Sequence, residues 1–544
     1  MKKKLIYSFL ALSMVAMVGY GQGEKNIKEK NAMQGKVDEF ALFSLTTDLS
    51  KLSAKEKELI KIFLEIGQTM DDLFWKQSYG NKADMLKIKD PAMREFAMIN
   101  YGPWERLNNM KSFVPGYGEK PLGACFYPKD MTDKEYNALT DKNKDNLYTV
   151  IRRDAKGKLV VKWYHQEYKQ ELAKVEVLLK KAITLAEDAG LKKYLTERLK
   201  AFQTDDYFAS DMAWMDMKES KLDFVVGPIE NYEDRRFGSK AAYEAFVLVK
   251  DEKWSEDLAK FTSMLPELQK DLPCDPKFKE EIPGTDSDLN VYDVIFYGGD
   301  CNSGSKTIAI NLPNDERVQL AKGARRLQLK NAMKAKFDNI LMPIAEQIMC
   351  KEQLENIKFD AFFSNVTFHE VSHGLGIKNT INGKGPVRKA LENQYSGWEE
   401  AKADILGLYM VTSLVRKGEI TNITENDAYA TFIAGILRSV RFGAASAHGK
   451  ANMMCFNFFE DKKAFSRDAE GKFVIDFDRA KQAMEEWAAL ILRIEGEGDL
   501  EFAKEYNEKN GIIRPELQKD IDRINEAKIP RDIRYNQGAK VLGL

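Results

Sequence analysis

The chain has 544 residues, 83 Lys and Arg against 84 Asp and Glu, and a net charge of -1. That balance supplies no basic field for nucleic acid, and 44% hydrophobic with 11% aromatic content excludes a disordered or fibrous chain. The length exceeds what one compact core holds, so two or more domains are expected.

The first residues read as an export signal. Met1-Lys2-Lys3-Lys4 is a positive start, Leu5 to Val18 is apolar, and Gly19-Tyr20-Gly21-Gln22 offers small residues for cleavage after Gly21. The apolar run is shorter than the roughly 20 residues of a membrane span. A periplasmic or secreted protein with no stable membrane association after cleavage is expected. Residues 22–50 are polar. Leu52 to Trp75 then places Leu59, Ile60, Ile62, Phe63 and Ile66 at helical spacing. Ala83 to Pro128, with its Gly, Pro and aromatic residues, predicts irregular packed structure. Gln166 to Phe202 predicts a charged helix interrupted near Gly190.

From Leu222 the period changes to two. Leu222 to Gly227, Glu244 to Val249, Val291 to Tyr297 and Lys306 to Asn311 read as strands of a small sheet or barrel. After Glu316 helix returns over Leu327 to Cys350, Phe359 to Leu375, Val387 to Arg416, Ala428 to Arg441 and Asp478 to Gly496. The tail, Ile512 to Leu544, is charged and turn-rich. Five cysteines (Cys125, Cys274, Cys301, Cys350 and Cys455) are widely spaced, and an odd count leaves at least one free thiol. Whether Cys274 and Cys301 pair stays open.

The chemistry concentrates between His369 and Asp404. His369-Glu370-Val371-Ser372-His373 is an H-E-x-x-H pattern on an apolar helical background, and it uses two of only four histidines. At about 3.6 residues per turn, histidines at i and i+4 share one face and can share a zinc ion. Glu370 is then placed to act as a base on water. A third ligand is needed. Trp398-Glu399-Glu400-Ala401-Lys402-Ala403-Asp404 follows a short Gly/Pro/Asn loop and sets Glu400 and Asp404 on one helical face. Glu400 is the expected third ligand for a single zinc ion. Glu399 and Asp404 are the expected acceptors that orient the imidazoles.

This pair of segments resembles the dipeptidyl-peptidase III family of zinc exopeptidases, in its variant with one residue fewer between the histidines. Lys402 stands where that family has arginine, Ala401 where it has cysteine, and Asp404 where it has glutamate. The resemblance implies an α+β fold with two lobes around a wide cleft, a helical zinc-bearing lobe and a mixed lobe with a small β-barrel core. It places 22–252, 297–325 and 510–544 in the mixed lobe, and 253–296 and 326–509 in the helical one. It further implies that Glu230 and Glu244 bind the free amine of a peptide, and that Tyr232 and His448 stabilise the transition state. Asn311 and Asn314 would bind the peptide's N-terminal end. The expected activity is release of dipeptides from the N-termini of short peptides. A zinc endopeptidase, an aminopeptidase of different end specificity and a catalytically weak peptide-binding protein are the alternatives.

Overall fold

The structure is a computed structural model that describes residues 32–283 and 288–544; the export signal expected at its start lies outside them. The first amphipathic stretch forms helix α1 (Ala54–Ser78), opened by a capping box in which Ser53 and Glu56 satisfy each other's backbone N–H groups. Its apolar side, including Phe63, Ile66 and Phe74, is fully buried. The charged stretch after it is two helices, Lys169–Leu185 and Ala189–Thr204, parted just before Gly190.

Five strands make one mixed sheet: β1 (Leu222–Glu230), β2 (Ala242–Lys250), β3 (Asp288–Gly299), β4 (Ala309–Leu312) and β5 (Arg325–Leu329). The spatial order is β1-β2-β3-β5-β4, with β3 and β5 parallel and the other neighbours antiparallel. β5 corrects an expected helix, which begins only after Leu329. Arg325-Arg326-Leu327-Gln328-Leu329 lies between two partners, so its backbone groups are satisfied as strand on both sides. The Arg325 side chain is buried between Asp223 at 3.2 Å and Asp288 at 3.1 Å, under the face of Trp214. The small barrel core takes the form of a half-barrel. Its edges β1 and β4 are not paired, but Asn314, just past β4, donates to the carbonyl of Ile229 on β1 at 3.3 Å.

The second half is helical: α2 (Phe359–Ser372), α3 (Tyr395–Arg416), α4 (Glu425–Val440), α5 (Ala447–Asp461) and α6 (Phe477–Glu497). The helix expected from Val387 to Arg416 is broken, because Val387–Ala390 and a tight turn at Glu392–Gln394 precede α3. The turn-rich tail contains a helix, Pro515–Glu526, and a strand, Asp532–Asn536, parallel to Phe40–Ser44. All five cysteines are free thiols.

Two large buried clusters follow from this order and give the molecule two lobes. One joins α1, the sheet and the helices before it; the other joins α2 to α6 with Leu517, Ile521 and Ile524. Strand β3 passes from one to the other, with Leu289 and Val291 in the helical core and Tyr292 to Tyr297 in the sheet core.

Candidate functional site

Helix α2 is apolar through Phe362, Phe363, Phe368 and Val371, which anchor it in the helical core. It stops at His373, its C-terminal cap, and the chain turns away through Gly376, whose φ of 77° suits glycine. α3 packs along it. A Cβ on Gly407 would lie 2.9 Å from the His369 backbone nitrogen, so glycine at this position permits the close approach.

That approach brings five side chains together. His369 and His373 stand edge to face with ring centroids 4.9 Å apart. His369 Nδ1 is 2.7 Å from Asp404 Oδ1, and His373 Nδ1 is 3.0 Å from Glu399 Oε1. A carboxylate on each Nδ1 makes that nitrogen the protonated one in the neutral ring and leaves Nε2 with a lone pair. Both Nε2 atoms face Glu400 Oε2, at 3.4 Å for His369 and 3.9 Å for His373. The expected orienting partners and the expected third ligand are therefore in contact with the two histidines.

Glu400 Oε2 is buried and accepts no aligned hydrogen bond, although His448 Nδ1 lies only 3.0 Å away. Burial pushes the Glu400 carboxyl up, yet His369 and His448 outweigh it and hold the group well below the usual carboxylate range. Burial likewise opposes the charge on His369, but Asp404 and Glu400 raise its imidazole to about 10. A buried, orphaned carboxylate oxygen ringed by imidazole nitrogens is a donor set that suits a divalent borderline cation. The tightest donor triple is His369, Glu400 and His448 rather than His369, His373 and Glu400. His448, at the start of α5, is more exposed, and its ring is tilted 5.9 Å from that of His369.

The other expected residues gather on the sheet lobe. Glu230, at the end of β1, accepts from Asn314 Nδ2 at 3.2 Å. Asn311, on the edge strand β4, lies opposite Arg326 of β5, and Arg326 Nη1 donates to the Glu370 carbonyl of α2 at 3.2 Å. One hydrogen bond thus ties the neighbour of the asparagine strand to the helix of the catalytic motif. Tyr232 is 76% exposed. Glu244 is buried in β2, across from Gly299; burial, then Asp300 and Glu230, push its carboxyl well up. The sequence reading missed Asp300, which burial and Glu233 raise to about 7. It also missed Arg326 and Glu495, because neither lies in a motif and only the fold brings them near.

Known proteins share the sequence pattern and the fold of this chain. Residues 129–385 match the model of peptidase family M49. The solved dipeptidyl-peptidase III of Caldithrix abyssi is 37% identical, with a TM-score of 0.87 over 93% of this chain and 99% of that one. The enzyme of Corallococcus sp. strain EGB is 35% identical, with a TM-score of 0.74 over 93% and 97%. A protein of Arabidopsis thaliana named Nudix hydrolase 3 is 32% identical over 92% of this chain and 73% of its own length. Rat dipeptidyl peptidase 3 is 24% identical over 57% of this chain and 44% of its own. With the two bacterial enzymes matched almost end to end, the chain belongs to peptidase family M49, the dipeptidyl-peptidase III metallopeptidases.

Proposed function

We propose that this peptidase is exported and uses one zinc ion, held by His369, His373 and Glu400, to release dipeptides from the N-termini of short peptides. The observation that carries the reading is the orphaned Glu400 Oε2 facing two Nε2 atoms whose rings are turned by Asp404 and Glu399. His373 is preferred to His448 as the second imidazole because a carboxylate orients its far nitrogen. When bound, zinc polarises the scissile carbonyl and lowers the pKa of a water in its reach towards about 7.

The chain's own groups do the rest. Glu370 accepts a proton from the attacking water at its carboxylate and passes it to the leaving amine nitrogen as the C–N bond breaks. The Tyr232 hydroxyl and the His448 imidazole donate to the carbonyl oxygen as it gains charge, where one lost donor costs about 3 kcal/mol. The peptide's free ammonium sits against Glu230, with Glu244 behind it, while Asn311 and Asn314 bind the first peptide groups. A cavity of about 520 Å³ lined in part by Tyr207, Ile229 and Asn314 offers room for the first side chain.

Product masses from a tetrapeptide, measured alongside zinc content, test this reading. One zinc per chain and two dipeptide products are expected. Single residues or tripeptides among the products would overturn the dipeptide assignment, and turnover without bound metal would overturn the zinc assignment. Export is tested separately by cell fractionation, with a mature N-terminus at Gln22 expected.

A further inference from the structure

Behind His373, on the side away from Glu400, lies a second charged cluster that the mechanism above does not use. Lys402 of α3 is fully buried, with Nζ 2.8 Å from Glu399 Oε2 and 3.9 Å from Glu495 Oε2. Glu495, near the end of α6, is equally buried, and neither of its carboxylate oxygens accepts a hydrogen bond among the described residues. Glu399 Oε2 also accepts from the Tyr395 hydroxyl at 3.2 Å, while its Oε1 faces His373 Nδ1 at 3.0 Å. Lys378, in the loop after α2, donates to the His373 carbonyl.

A buried ion pair is a poor device for stability alone, since apolar side chains of similar volume usually do as well or better. What the pair does here is directional. Glu399 can swing about its own side-chain torsions unless something fixes Oε2, and Lys402 is the charge that fixes it. Glu495, 3.9 Å away, gives the Lys402 ammonium a second carboxylate that restricts where it can sit. We propose that Lys402 and Glu495 are positioning residues for the metal centre: Glu495 anchors Lys402, Lys402 locks Glu399, and Glu399 thereby holds the His373 ring with Nε2 towards Glu400. The inference rests on the zinc reading above.

The test measures the rate of zinc transfer to a chromogenic chelator, with thermal stability recorded for each variant. Lys402→Met should lose zinc about 10- to 100-fold faster, the range expected when a ligand's orienting partner is disturbed. Lys402→Arg, whose planar fork can reach both carboxylates, should hold zinc at least as long as the wild type. The double variant Lys402→Met/Glu495→Leu removes the fully buried Glu495 together with its cation, so it should recover stability relative to Lys402→Met yet still lose zinc quickly. The visible spectrum of its cobalt-substituted form should shift as His373 loses its fixed orientation. If the double variant regains stability and wild-type zinc retention together, the pair is architectural and the inference falls. Should Lys402→Met fail to fold, the double variant and Lys402→Arg still decide it. A wild type that binds no zinc would defeat the underlying zinc reading instead.

Discussion

At the scale of single residues, the proposed roles divide between holding a metal and moving a proton. Glu370→Gln keeps every side chain that faces Glu400 Oε2, so zinc content should be unchanged while turnover falls by several orders of magnitude. A variant retaining a tenth of wild-type rate would remove Glu370 from the mechanism. Glu400→Ala deletes the oxygen at 3.4 Å from His369 and 3.9 Å from His373, and metal should be lost at chelator concentrations that the wild type withstands. Glu399→Ala should weaken zinc less, by about 10- to 100-fold, because it orients a ligand without being one. Reversal of that order would exchange their roles. A fourth residue, Glu233, serves stability. It is buried with Arg106, whose Nη1 lies 2.8 Å away, and with Lys120. Burial raises its carboxyl, but the two cations prevail and lower it from the ordinary 4.5. A depressed carboxyl contributes stability above its unfolded value and forfeits it as pH falls, so the contribution should fade below about pH 4.5. Glu233→Gln leaves two buried cations without their carboxylate and should cost about 3–5 kcal/mol near neutrality. Its melting temperature should then fall less steeply with acid than that of the wild type.

At the scale of elements, the centre depends on how closely α2 and α3 lie. The helices carry His369 and Glu370 on one side and Glu399, Glu400 and Asp404 on the other. Their separation is set where Gly407 meets the backbone of Phe368 and His369. Gly407→Ala adds one methyl group at 2.9 Å from the His369 nitrogen, against backbone that cannot rotate aside. An overpacked contact of this kind costs about 1–3 kcal/mol. Here it should also weaken zinc binding, because the helices part at the ligands. Intact zinc affinity with lowered stability would mean that the ligands adjust independently of the helix spacing. Strand β5 makes the opposite point about local pattern. Its backbone is claimed by β3 and β4 from either side, and in that position Arg326 faces α2.

At the scale of the whole molecule, counting two residues requires a fixed reach between lobes. Two extended residues span at most about 7 Å. On the proposed dipeptidyl reading, groups of the sheet lobe read the amine end while the cut is made at the helical one. Glu230 and Asn314 are joined at 3.2 Å where the edges of the half-barrel approach, and Arg326 links the same sheet to α2. Breaking a buried ammonium–carboxylate pair costs a few kcal/mol, so Glu230→Gln should lower kcat/KM for free-amine peptides roughly 10- to 1000-fold. N-acetylated peptides should be poor substrates of the wild type and little changed by the substitution. Equal cleavage of acetylated and free peptides would replace amine anchoring with an endopeptidase reading.

The sequence by itself determined the local chemistry. The H-E-x-x-H spacing and the following acidic helix follow from the 3.6-residue period, and that period is carried by neighbours in the chain. Most of the main helices, though not α5, and four of the five strands of the sheet were legible for the same reason: each buries one face, and burial leaves a pattern. Tertiary structure alone decided what no local period encodes. It made β5 a strand, since its hydrogen-bond partners are contributed by β3 and β4. It set Glu400 Oε2 against the two imidazoles, since Gly407 lets two helices touch. It placed Glu495 beside Lys402 from nearly a hundred residues away, and it curled the sheet until Asn314 met Glu230. Charges that meet only after folding cannot be read from a linear pattern, because their partners are chosen by packing.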